Sequence, residues 1–117
     1  MPSKSPISVL LDIRDNIVLA IEFVDGFTFD QFVEDRKTVY AVIRCLEIVS
    51  EASRRLPDDL KARHSHIPWS DIAGAGNVYR HDYEDVQERI LWRTVREELS
   101  DLRAAVENEL SAILPPK

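Results

Sequence analysis

The chain has 117 residues, of which 44% are hydrophobic and 31% charged, with a formal net charge of −6. That length suffices for one domain with a real core, and the charge is wrong for a protein that coats nucleic acid through a general basic field. The single cysteine, Cys45, excludes an internal disulfide and suits a reducing cytoplasm, while Asp12, Arg14 and Asp15 interrupt the first apolar region, so the N-terminus reads as neither a signal peptide nor a membrane span.

Taken in order, the first helix is predicted from about Ser8 to Val24, with Ser5 and Pro6 at its start, Gly26 at its end, and a buried stripe of Leu10, Ile13, Ile17, Ile21 and Val24. Thr28 or Asp30 caps a short second helix carrying Phe29, Phe32 and Val33. The third begins near Arg36 and ends before Pro57, its stripe of Val39, Val42, Leu46, Val49, Ser53 and Leu56 apolar except for Ser53. Asp58 and Asp59 open a short segment ending around His64, and a loop from Ser65 to Pro68 leads into a helix from about Asp71 to His81. The last helix repeats Leu91, Val95, Leu99, Leu102, Val106, Leu110 and Ile113 until Pro115-Pro116 stops it. Only three glycines break the chain, and no strand-like alternation of useful length occurs. The reading is a single all-α domain over residues 1–117, an up-and-down bundle of four to five helices with antiparallel neighbours.

Chemistry concentrates in Gly76-Asn77-Val78-Tyr79-Arg80-His81-Asp82-Tyr83. In a helix, Asn77 lies three residues before Arg80 and four before His81, so the three share a face. An imidazole that titrates near neutrality suits proton transfer at a ribose hydroxyl, and a guanidinium can hold a phosphate in a planar fork. Each has a plainer reading: His81 as a histidine answering a helix dipole, Arg80 as a surface partner of Glu84, Tyr79 and Tyr83 as packing phenols rather than base-stacking or modifiable ones. His64-Ser65-His66 has a metal-like spacing, but two further ligands would have to come from elsewhere, and a surface loop is the simpler reading. No phosphate loop, Gly-x-Gly-x-x-Gly or Asp-x-Asp pair is present, which disfavours a self-sufficient kinase or nucleotidyltransferase. Trp69 and Trp92 read as core or interface anchors.

The run from Ile67 through Pro68, Trp69, Ser70, Asp71, Ile72, Ala73 and Gly74, followed by Asn77, His81, Tyr83 and Trp92, resembles the HepT-like family of the HEPN superfamily. So do Phe32 to Thr38, Ala41 to Arg44 and Leu46 to Ile48. The resemblance implies a two-fold homodimer and a cytoplasmic, metal-independent and cofactor-free RNase toxin. It also implies a minimal nucleotidyltransferase antitoxin as partner, which adenylylates the toxin on a tyrosine. Carried onto this chain, the motif makes Asn77 the polar, RNA-contacting residue, His81 the catalytic histidine and Tyr83 the modified tyrosine. The family's arginine, five residues before the histidine, is Gly76 here. The sequence-based expectation is that Gly76 leaves space which Arg80, four residues on, leans back to fill, with Tyr79 beside it against substrate. Without such compensation the chain would be a catalytically silent nucleotide- or RNA-binding helical dimer serving a nucleotidyltransferase.

Overall fold

The first three helices start where the sequence supplies side-chain caps. The computed structural model describes residues 5–81 and 87–113, and for Arg80 and His81 the backbone alone. Helix α1, Pro6–Val24, opens with the Ser5 hydroxyl accepting the Ser8 N–H at 3.3 Å and with Pro6 in the first turn, where its missing N–H costs nothing. Beyond its end the chain reverses at Gly26, whose φ of 81° is open to glycine and strained for most other residues. Helix α2, Phe29–Glu34, starts on Thr28 rather than Asp30. Thr28 Oγ1 accepts the Gln31 N–H at 3.1 Å, and Gln31 Oε1 accepts the Thr28 N–H at 2.9 Å. Asp35 caps α3, Arg36–Ser53, through the Thr38 N–H at 3.2 Å.

Four further helices complete the described residues: α4, Asp58–Arg63; α5, Trp69–His81; α6, Glu88–Arg93; and α7, Leu99–Ile113. A π turn over Thr94–Glu98 joins α6 to α7. No strand occurs among the described residues, and no helix among them is long and apolar enough to cross a membrane. The all-α expectation holds as four long rods, α1, α3, α5 and α6–α7, with the short α2 and α4 between them.

Helix α1 packs against both α3 and α7, and α3 packs on its other side against α5. Leu10, Ile13 and Ile17 are fully out of water, as are Phe32 of α2 and Val42 of α3. Ser53, the polar interruption in the α3 stripe, is buried at no hydrogen-bonding cost because its hydroxyl donates to the Ser50 carbonyl at 2.6 Å. Cys45 is a free, buried thiol whose pKa burial pushes up, against a smaller opposing pull from Arg44.

The single final helix read from the sequence is corrected to two helices around a π turn. Leu91, Val95 and Leu99 are spaced by two successive four-residue steps, which in a uniform α-helix swing a stripe by about 80°. The π turn takes up the extra residue, so all three stay buried along with Leu102, Val106 and Leu110. Trp92 is half-buried against the core, its ring 5.4 Å from that of Phe32 and 6.0 Å from that of Phe29, with the Arg96 guanidinium 5.2 Å over the indole.

One buried carboxylate fastens α4 to α7. Glu109 accepts from Arg63 Nη2 at 2.8 Å and Nε at 3.2 Å, and lies 2.7 Å from His64 Nε2. The Arg63 hydrogen bond leads the causes that hold the Glu109 carboxyl below its ordinary range, against the opposing effect of burial and with further help from His64. His64 is thereby engaged structurally, and among the described residues no three His, Cys, Asp or Glu side chains converge as metal ligands.

Candidate functional site

Helix α5 is set by its first residue. The Trp69 indole N–H lies 3.0 Å from the His64 carbonyl and 3.1 Å from that of Lys61, so the turn after α4 is clamped and the start of α5 is fixed. Trp69 is therefore a half-buried anchor within the chain, as Trp92 is. From that start Ile72, Ala75, Gly76 and Tyr79 fall on the inward side of the helix, while Asn77 is exposed.

The helix approaches α3 so closely at Gly76 that no other residue fits without a shift. A Cβ built there would stand 2.4 Å from Ser50 Oγ and 3.0 Å from Ser50 Cβ. The expectation that Gly76 leaves an empty space is thus corrected: Ser50 occupies it. The serine is pinned in place, its hydroxyl donating to the Ala73 carbonyl at 3.1 Å. Gly76 suits the close packing of two helices, and an arginine on this backbone would displace the Ser50 side chain from its first side-chain carbon onward.

Of the residues expected at the site, Asn77 lies on the outward face of α5, and α5 continues through Arg80 and His81 as its last two residues. In helical register position 81 follows Asn77 on the outward side, and position 80 falls on the flank toward α3, one turn beyond Gly76. Tyr79 is not grouped with them. It is half-buried against the core, and its hydroxyl pKa is raised by burial and secondarily by the Glu98 carboxylate. Tyr83, like Asp82, Glu84 and Asp85, lies outside the described residues.

Tyr79 instead lines a cleft of about 410 Å³ between α5 and the π turn with α7. Its floor includes Leu46, Ile72 and Leu102, while Asp71, Glu97, Glu98 and Asp101 bring carboxylates to it. Those four carboxylates would repel a phosphodiester, so the geometry favours the other side of α5, where Asn77 and the flank toward α3 lie. On that flank stands a residue that sequence reasoning missed. Arg54, just past the end of α3, donates from Nη2 to the Ala73 carbonyl at 2.7 Å. Nothing in its local sequence marked it, because its neighbour in space is nineteen residues away.

Comparison with known proteins converges on one family. Residues 13–109 match the family model described as "Ribonuclease HepT-like". The chain is 41% identical over 100 residues to "Probable ribonuclease HepT" of Thermococcus cleftensis, covering 82% of this chain and 91% of that protein. It is 36% identical over 107 residues to a protein named "Putative RNase" from Caldanaerobacter subterraneus subsp. tengcongensis, covering 92% and 96% of the two chains. A "Putative RNase" of Methanocaldococcus jannaschii is 37% identical over 95 residues, 81% of this chain and 78% of its own. No solved structure shows a significant match.

Proposed function

This chain belongs to the HepT-like ribonuclease family, and from that premise we propose that it is an endoribonuclease acting as the toxin of a toxin–antitoxin pair. The observation that carries the placement of the site is the register of α5, whose inward side is consumed by packing at Ile72, Gly76 and Tyr79 while Asn77 stays exposed one turn before His81.

The proposed reaction needs no metal. The 2′-hydroxyl of a ribose attacks the adjacent phosphorus in line, and neutral His81 takes the hydroxyl proton. The bond from phosphorus to the 5′-oxygen breaks as the imidazolium returns its proton to that oxygen. Products are a 2′,3′-cyclic phosphate and a 5′-hydroxyl. Arg80 holds the phosphate and stabilises charge on its non-bridging oxygens, and Asn77 contacts the RNA beside it. Tyr79 contributes by seating the helix. A substrate carrying 2′-deoxyribose at the scissile position tests this chemistry: it should resist cleavage while its all-ribose counterpart is cut, and equal cutting of both would rule out 2′-hydroxyl attack.

Two copies are proposed to pair, and a minimal nucleotidyltransferase is proposed to silence the toxin by adenylylating Tyr83. The added phosphate would place negative charge and bulk two residues after His81. Incubation with such a transferase and ATP should add one AMP by intact mass, and a Tyr83→Phe chain should add none. Addition that persists in Tyr83→Phe would place the modification elsewhere.

A second reading is favoured by one observation. Position 76, where the family motif has arginine, is closed by Ser50, so a chain without compensation would be a silent RNA-binding dimer that presents Tyr83 to its transferase. RNA bound but never cut by purified, unmodified protein would select this reading.

A further inference from the structure

We propose that Arg54 is a second phosphate-binding cation of the RNA site, supplied by α3 to the flank of α5 where the motif arginine is absent. The proposal rests on the ribonuclease reading above and names part of its substrate contact.

Three observations place it. The Arg54 guanidinium is anchored 2.7 Å from the Ala73 carbonyl. In an α-helix that carbonyl is the acceptor for the N–H four residues on, which is Asn77, so the guanidinium lies against the turn that presents Asn77. Positions 73, 77 and 80 follow one another at spacings of four and three, so Arg54 stands at the start of the stripe that carries Asn77 and leads to Arg80.

The kind of anchor matters as much as the place. Other arginines of this region spend their charge on carboxylates: Arg55 pairs with Glu51 at 3.3 Å, Arg44 pairs with Glu47, and Arg63 reaches Glu109 at 2.8 Å. Arg54 is exposed, and among the described residues the one partner of its guanidinium is a neutral carbonyl. A carbonyl orients the fork without cancelling its charge, and it occupies one of five N–H donors, so the rest remain for an anion. The Gly76–Ser50 contact adds to the case. It brings α3 close enough for an α3 side chain to reach over α5, so the packing that forbids an arginine at 76 also delivers one from position 54.

The competing role for Arg54 is a brace between helices, aided by the α3 dipole. Binding of a fully 2′-O-methylated single-stranded RNA, which cannot be cut by 2′-hydroxyl attack, separates the two across a salt series. Arg54→Gln keeps a donor for the Ala73 carbonyl and removes the charge. It should weaken binding about tenfold and lower the slope of log affinity against log salt by about 0.7. Arg54→Lys should keep the slope, and Arg55→Gln should match the wild type in both measures. Equal slopes for Arg54→Gln and Arg54→Lys overturn the proposal even if both variants lose stability, and so does wild-type binding by Arg54→Gln. If those results come from a protein that still cuts all-ribose RNA, the ribonuclease reading stands and only Arg54 is misassigned. A wild-type chain that neither binds nor cuts RNA removes both.

Discussion

At the scale of single residues, Gly76 and Ser50 are a matched pair. The Ser50 hydroxyl is fixed by the Ala73 carbonyl, and its oxygen stands 2.4 Å from where a Cβ at 76 would be. Gly76→Ala should therefore cost stability, about 1–3 kcal/mol as for other overpacked core sites, in spite of alanine's better helix propensity. Removing the oxygen in Ser50→Ala should relieve much of that loss, so chemical denaturation of both single variants and the double should show favourable coupling. Additive losses would mean that the helices separate freely and that the contact restricts nothing. Sequence spacing alone could place Asn77, Arg80 and His81 in one helical register. It could not reveal that position 76 is closed, because the residue that closes it is twenty-six positions away on another helix. A separation of nineteen positions hid Arg54 in the same way.

At the scale of elements, local chemistry was legible wherever a cap or a breaker acts on its own neighbours. Thr28 with Gln31, Asp35 and Gly26 mark their boundaries because each acts within about three residues. The π turn was not legible as such. Its signal is the double four-residue step from Leu91 to Val95 to Leu99, which an amphipathic stripe tolerates until packing on both sides demands all three residues at once. The Arg63–His64–Glu109 tie is likewise a tertiary fact, and it carries a pH signature. The Glu109 carboxyl is held below its ordinary value near 4.5. A depressed carboxylate contributes stability that is fully present above its unfolded pKa and is lost as pH falls through the folded one. Glu109→Gln should accordingly lower the thermal midpoint at neutral pH, by a loss of about 1.5–3 kcal/mol for hydrogen bonds to charged groups. The gap to wild type should hold down to about pH 5 and close in more acid solution. A gap that stays constant into acid would show that the tie contributes shape rather than charge.

At the scale of the whole molecule, both tryptophans are already used within one chain. Trp69 clamps the entry to α5 and Trp92 packs on Phe29 and Phe32, and both stay half-buried. The exposed large apolar side chains lie elsewhere, and Tyr40 and Val78 at 47% and 45% exposure are among them. If two copies pair as proposed, light scattering should give twice the 13.4 kDa chain mass at micromolar concentration. A monomer mass from a fully helical sample would count against pairing.

The acidic cleft lies on one side of α5 and Asn77 on the other, so the proposed RNA site is the outward C-terminal end of that helix. The direct measurement is cleavage of single-stranded RNA by purified protein free of any partner, with chelator present, for the wild type and the His81→Ala and Arg80→Ala variants. The wild type should release fragments ending in 2′,3′-cyclic phosphate. Loss of the proton-transferring imidazole should slow cleavage by about 10²-fold or more, and loss of the phosphate-holding guanidinium by a similar factor. A folded, unmodified wild type that cuts no RNA, or a His81→Ala chain that cuts as fast as the wild type, would show that this helix end is not a ribonuclease site.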